Sequence, residues 1–410
     1  MEARQNALDS LNRIFTRREY SNIVISNTIR HSRMSDLDRG LYTQIVYGVL
    51  KNKLLLDFYL RPYTDGKVLK DWMRHLLELS IYQMIFLDRV PPYAILNDAV
   101  EIAKKVDFSA SKLINAVLRN FVVQKEPTED YIKYSTSEWL FKQIKGQYKD
   151  DYIEIMESYM RNPKLSARVN LSKTSRDRIT SSTVIESTVT NTGVIYAKGN
   201  IADTKEYKDG LVSVQDEASQ LVARTMNPKK HDVILDVCAA PGGKTTHMAE
   251  IMKNEGRIVA NDIHAHKIDL IKQNAERLGL TNIEYSNIDG TKLKRVYSRE
   301  EFDKVLVDAP CSGWGVMGRK PEIKYFQSQG SVDAITAIQA ELLEAVATLV
   351  KIDGTLVYST CTINKGENEV QVKKFLQAHP NYELEKENFI LPYENHTDGF
   401  YIAKMKKVRR

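Results

Sequence analysis

No stretch of this 410-residue sequence approaches the ~18 uninterrupted apolar residues of a membrane-spanning helix, so a helical membrane protein is excluded. Cysteine is scarce: the chain has three, with no CxxC pair and no Cys/His cluster, so neither a zinc site nor a disulfide framework is expected. The opening Met1-Glu2-Ala3-Arg4-Gln5 lacks the charged-then-apolar layout of a signal peptide, and the expected compartment is the cytoplasm, where thiols stay reduced. Dedicated phosphate grips are missing too. The turn at 238–245 carries Cys238 where a Walker A loop needs its first glycine, and it is not GxGxxG either. Neither charge sign dominates. A net charge of +6 admits an anionic partner without requiring one.

What is present is an ordinary globular composition, 42% apolar and 27% charged, with length enough for two or three domains. Residues 1–125 read as successive helices. Leu41, Tyr42, Ile45, Val46, Val49 and Leu50 form one apolar stripe, and Trp72, Met73, Leu76, Leu77, Ile81, Met84 and Ile85 form another. Pro91-Pro92 breaks the second, and helices over 94–106 and 109–122 follow. This part has no cysteine and no clustered acid/base pair, which predicts an all-α docking module. Residues 126–210 change character: a charged, aromatic helical stretch over 129–160, then short β-like runs at 165–170 and 192–198, form a small α+β unit or linker. From 211 to 410, strands near 233–237, 257–261, 304–308 and 354–359 alternate with helical patterns, predicting a parallel α/β sheet covered on both faces. The basic tail at 404–410 reads as a frayed terminus or a phosphate contact.

Each cysteine lies at or just past the end of a predicted strand in this last part, where ligands bind in an open α/β sheet. The first strand runs into Asp236-Val237-Cys238-Ala239-Ala240-Pro241-Gly242-Gly243-Lys244-Thr245, whose small residues let backbone approach a ligand closely; a turn kept small for packing reads the same way. Asp262 ends the second strand and suits ribose hydroxyls. Asp289, after a strand near 283–286, suits an adenine amino group, although a surface Asp is common at either place. Lys244 either orients its surroundings or holds a solvated head. Asp308-Ala309-Pro310-Cys311 and Ser359-Thr360-Cys361-Thr362 bring a carboxylate and two thiols to the same rim.

On these residues, together with residues 214–220, Arg168-Val169-Asn170 and the helical runs at 39–50, 82–91 and 115–119, the chain resembles the bacterial Fmu/Sun-type RNA cytosine-5 methyltransferases of the RsmB family. The resemblance covers essentially the whole chain. It implies a NusB-like helical RNA-binding domain over 1–125, a linker and small α+β segment over 126–210, and a Rossmann-like S-adenosylmethionine-dependent methyltransferase domain over 211–410. It implies that Cys238, Ala239, Ala240, Pro241, Gly242, Gly243, Lys244, Asp262, Asp289 and Asp308 line the cofactor. Cys361 is then the nucleophile at C6 of cytosine, Asp308 contacts the base edge, and Cys311 assists release. The chemistry calls for such groups, because C5 attacks a methyl sulfonium only after a thiolate adds to C6. The implied substrate is small-subunit ribosomal RNA, with a target base unpaired or flipped, no obligate protein partner and a monomeric chain. A tRNA methyltransferase of the same superfamily and a non-catalytic RNA-binding assembly factor are the other readings. The loop at 313–325 departs from the usual pattern at Gly318, Lys320, Glu322 and Tyr325; it keeps Arg319, Lys320 and Lys324 as candidate phosphate contacts.

Overall fold

The computed structural model describes residues 1–64 and 67–409, so Arg410 lies outside the described residues. Two compact units emerge, Met1–Arg161 with Met317–Gln327, and Asn162–Val316 with Ser328–Arg410. The middle segment expected over 126–210 is thus shared: its helices up to Met160 belong to the first unit, and everything from Asn162 on, strands included, to the second.

The first unit is helical. Glu2–Arg17, Ser21–His31, Asp36–Thr64, Asp71–Phe86, Pro92–Val106 and Phe108–Asn120 are followed by the shorter Asp130–Lys133, Glu138–Tyr148 and Tyr152–Met160. The two sequence stripes face one core: Tyr42, Ile45, Val46, Val49, Leu50, Leu76, Leu77 and Ile81 are all fully buried there. Each such aliphatic side chain contributes ~1.5–3 kcal/mol on burial. Pro92 does not merely end the preceding helix; it opens the next one, where its missing N–H costs nothing. Asp107 caps the helix after that, accepting from the amides of Ser109 and Ala110.

Two expectations are corrected in this unit. An acid/base cluster does exist: Lys53 Nζ lies 2.6 Å from both Asp57 Oδ2 and Glu78 Oε1. Burial pushes the Glu78 carboxyl up and lowers the neighbouring His75 to about 4. Lys53 and Glu78 lie on different helices, so no local spacing announced the pair. Lys324 is not a phosphate contact. Its side chain is fully buried and donates to the carbonyls of Tyr134 (3.0 Å) and Lys51 (3.4 Å). Burial lowers its amine to about 7. Two residues earlier, Glu322 accepts from the amide and hydroxyl of Ser21 at 3.0 and 2.8 Å. The stretch Met317–Gln327, which holds all three candidate phosphate contacts, is part of the helical unit.

The second unit contains two sheets. Strands β1 (Leu165–Val169), β2 (Val184–Glu186), β3 (Gly193–Tyr196) and β4 (Val212–Val214) pair antiparallel in the order β2-β3-β1-β4 around Ala167, Val169, Val194 and Val212. The larger sheet holds β5 (Val233–Asp236), β6 (Arg257–Asn261), β7 (Ile283–Ser286), β8 (Phe302–Asp308), β9 (Val350–Thr360), β10 (Tyr382–Ile390) and β11 (Phe400–Lys407), in the order β10-β11-β9-β8-β5-β6-β7. β5 through β9 pair parallel. β11 runs antiparallel between β9 and β10. Alternate residues of the parallel strands feed two cores. Ile234, Ile258, Leu306 and Val357 pack with Met248 and Ile271 on one face, while Leu235, Val259, Val305 and Leu356 pack with Leu342 and Val346 on the other. This is a mixed Rossmann-like sheet with helices on both faces. As far as Lys407 the tail is not frayed but forms the end of β11. Phe400, Tyr401, Ile402 and Ala403 are buried, and the Lys407 ammonium is spent on the Val350 carbonyl at 2.8 Å. Among the described residues no helix is long and apolar enough to cross a membrane.

Candidate active site

Parallel pairing sets the site by aligning strand ends. β5 lies between β6 and β8, so the turn after Asp236 is flanked by Asp262 on one side and Asp308 on the other. The turn is built for a close approach. Gly242 has φ +100°, where a Cβ would be strained and would press on Ile271, and the helix Gly243–Ile251 begins immediately after it. A Cβ on Gly243 would meet only Gln215 Nε2, at 3.7 Å. Asp262 braces the turn from the β6 side: Oδ2 accepts from the Ala240 amide at 3.3 Å and Oδ1 from the His264 amide at 2.9 Å. Asp289 is half-buried. Its Oδ1 accepts from the amide (3.1 Å) and hydroxyl (2.8 Å) of Thr291, capping the turn Gly290–Arg295, and Lys292 lies 3.1 Å from Oδ2. Those contacts hold its carboxyl below the ordinary value, the Thr291 hydrogen bond contributing most.

On the β8 side, Lys244 has a partner. Its Nζ lies 2.6 Å from Asp308 Oδ2 and 5.0 Å from the centre of the Phe400 ring. Burial works against its charge, yet Asp308, with a smaller contribution from Cys361, outweighs this and holds the ammonium above its usual pKa. The other Asp308 oxygen accepts from Ser359 Oγ at 2.8 Å, across the β8–β9 register that pairs Asp308 with Ser359.

The same register brings two sulfurs together. Cys311 Sγ and Cys361 Sγ are 3.3 Å apart, and neither is in a disulfide. The hydrogen bond to Cys361 and burial push the Cys311 thiol well up. Cys238 stands apart from this contact; burial, then the charges of Asp236, Asp308 and Asp262, hold it protonated as a thiol. Below the pair lies a residue that the sequence reasoning missed. Glu367, fully buried, accepts from the Ser312 amide (2.9 Å), the Ser312 hydroxyl, Asn364 Nδ2 (2.9 Å) and Gln339 Nε2 (3.0 Å). Nothing distinguished it in sequence, because a Glu in a polar loop is ordinarily solvated.

Two more supports were not foreseen. Arg168 was recognised only as part of a family motif, yet its guanidinium is fully buried behind the glycine turn. It donates to Glu250 through two nitrogens at 3.0 and 2.7 Å, to the Gly243 carbonyl at 2.9 Å and to Gln215 Oε1. Asp236 accepts from Thr245 Oγ1 at 2.6 Å and leaves its other oxygen without a partner; burial raises its pKa to about 7.

A glycine turn after the first strand, acids ending the next two and a thiol pair beside a lysine–aspartate couple define an S-adenosylmethionine-dependent methyltransferase. A family model for the 16S rRNA methyltransferase RsmB/F matches residues 223–406, and one for the NusB family matches residues 1–123. The Bacillus subtilis (strain 168) "Probable ribosomal RNA small subunit methyltransferase B" is 39% identical over 98% of each chain. The crystal structure of PH0851 superimposes with TM-score 0.87 at 26% identity over 99% of both chains. That of NSun6 from Pyrococcus horikoshii with SFG shares the fold at TM-score 0.61 and 22% identity, over 67% of this chain and 98% of its own. The chain belongs to the RsmB/F family of ribosomal RNA methyltransferases, with a NusB-family domain before the catalytic part. It is an S-adenosylmethionine-dependent methyltransferase.

Proposed function

We propose that this enzyme methylates C5 of a cytosine in 16S ribosomal RNA through a covalent bond from Cys361 to C6 of the base. The observation that carries the reading is the pair of thiols 3.3 Å apart, beside the Lys244–Asp308 couple. A thiol is what addition to C6 requires, and a second one in contact with it suits later release; a methyl transfer to an already nucleophilic atom needs neither.

The residues around the glycine turn suit the cofactor: the backbone of Cys238, Ala239, Ala240, Pro241, Gly242 and Gly243 would line it, with Asp262 toward the ribose and Asp289 toward the adenine edge. When bound, S-adenosylmethionine supplies the methyl group. Asp308 meets the flipped cytosine at N3 or its amino group, held there by Lys244 and Ser359. The Cys361 thiolate adds to C6, which opens the 5,6 double bond and makes C5 the nucleophile. After methylation, loss of the C5 proton to a base and departure of Cys361 from C6 restore the double bond. Cys311, in contact with the departing sulfur, assists that step.

The test is labelled methyl incorporation into unmodified 16S RNA and into tRNA, followed by bisulfite mapping. A single protected cytosine in 16S RNA is the expected result. Incorporation into tRNA alone would move the substrate, and no incorporation with cofactor bound would leave an assembly factor. Cys361→Ala is expected to abolish methyl transfer; if it retained activity while Cys311→Ala lost it, the two thiols would exchange roles.

A further inference from the structure

The two thiol loops are tied to each other on both sides of the sulfur contact. Before it, β8 and β9 pair in parallel as far as Asp308 and Ser359. After it, the Ser312 and Thr362 hydroxyls meet at 2.8 Å, and the Trp314 amide donates to Thr362 Oγ1 at 3.3 Å. The Gly315 amide donates to the Cys361 carbonyl at 3.1 Å. Gly315 is itself tightly packed, since a Cβ there would collide with the Gly399 carbonyl. Glu367 accepts from both loops, from the Ser312 amide and Asn364 Nδ2, each at 2.9 Å. The sulfurs thus sit 3.3 Å apart on a braced frame. A disulfide holds its sulfurs ~2.05 Å apart, so bonding needs an approach of roughly 1 Å more. Both side chains are half-buried, which leaves each partly open to a solute as small as hydrogen peroxide.

We propose that Cys311 and Cys361 are a redox modification site: hydrogen peroxide joins them in a disulfide that halts methyl transfer and that a dithiol reopens. The effect on activity rests on the cytosine reading, because a sulfur bonded to sulfur cannot add to C6; the bond itself does not. Peroxide is the only co-reactant the chemistry needs. One sulfur, as thiolate, attacks it: an S–O bond forms, the O–O bond breaks and hydroxide leaves, giving a sulfenic acid. The neighbouring thiolate attacks the sulfenic sulfur: the S–S bond forms, the S–O bond breaks and a second hydroxide leaves. The two thiol protons convert both hydroxides to water, and two electrons pass from the sulfurs to the peroxide. Exchange with a dithiol returns both thiols. A sulfenic acid with no neighbour to capture it goes on to sulfinic and sulfonic acids, which a dithiol does not reduce.

The experiment treats the reduced full chain with a graded series of hydrogen peroxide, blocks remaining thiols with iodoacetamide and digests without reductant. Mass spectrometry quantifies every cysteine-linked peptide pair, while methyl incorporation and cofactor binding are measured on the same samples. In the folded chain the Cys311–Cys361 link is expected to exceed either link to Cys238 by at least ~tenfold, because the fold holds that pair in contact. In urea the three pairings are expected in comparable amounts, since closure entropy changes slowly with loop length. Methyl incorporation is expected to fall in proportion to the linked fraction and to return with dithiothreitol, with cofactor affinity nearly unchanged. Cys311→Ser removes the capturing thiol, so its Cys361 peptide is expected to accumulate acids that dithiothreitol does not reduce. Oxidation of the folded parent to those acids without the link overturns the proposal. So do links to Cys238 in comparable amount, or a linked chain that still transfers methyl groups. Failure of the cytosine reading appears separately, as a reduced chain that methylates no cytosine before peroxide is added; the peptide masses then decide the disulfide alone.

Discussion

Lys244 Nζ lies 2.6 Å from Asp308 Oδ2, joining the helix after the first strand of the parallel set to the end of its neighbour. The contact fixes the carboxylate proposed to meet the base from the side on which the glycine turn is built. Lys244→Met retains the stem against Phe400 and removes the charge. Misplacing a base-contacting group by about 1 Å typically costs ~10²-fold in rate. Methyl incorporation is expected to fall by that order, with cofactor affinity nearly unchanged. Single-turnover kinetics beside calorimetric cofactor binding separate the two effects.

Arg168 gives a contrasting case, in which stability and cofactor binding should fall together. Its removal leaves Glu250 buried without its ion-pair partner and the Gly243 carbonyl without its donor. Breaking a buried pair from one side costs ~3–5 kcal/mol, so Arg168→Met is expected to lower the unfolding free energy by that order. Arg168→Lys should not rescue it, because an ammonium cannot reproduce the forked contact with Glu250. Denaturant unfolding and cofactor titration of both variants check this.

A pH dependence follows from Asp236. Its folded pKa is about 7, raised first by burial, whereas an unfolded Asp titrates near ~3.9. Between those values the folded chain keeps a proton that the unfolded chain has released. Stability therefore falls as pH rises from about 4 to about 7, by up to ~4 kcal/mol, and this contribution is flat above. Asp236→Asn keeps an oxygen for Thr245 and has no proton to lose. The expected outcome is a shallower decline in melting temperature over that window than in the parent.

Much of this was legible in sequence because the deciding contacts are local. The α/β strands 233–236, 257–261 and 302–308 are short apolar runs closed by Asp or Asn, and the two stripes of the helical unit keep a strict helical period. The thiol pair was also legible, since parallel strands place their ends on one rim. What escaped depended on partners far away in sequence. Glu367 and Gln339 are 28 positions apart, and Lys53 and Glu78 are 25 apart, so neither charge looked buried. β10 reads Glu-Leu-Glu-Lys-Glu over its first half and is largely exposed there, so hydrophobic patterning had little to show. Lys324 was misread for the opposite reason: a loop lysine is usually solvated, and here two carbonyls stand in for water.

The placement of β11 has a consequence for how the molecule comes into being. During synthesis it emerges after every other strand of its sheet, yet it sits between β9 and β10 and supplies their only hydrogen-bonding link in that order. Until Phe400–Lys407 arrives, β9, whose last residue Thr360 precedes Cys361, has an open edge and β10 lacks the strand it pairs with. The thiol-bearing rim therefore reaches its final shape only once Phe400–Lys407 has been made and inserted between its two neighbours.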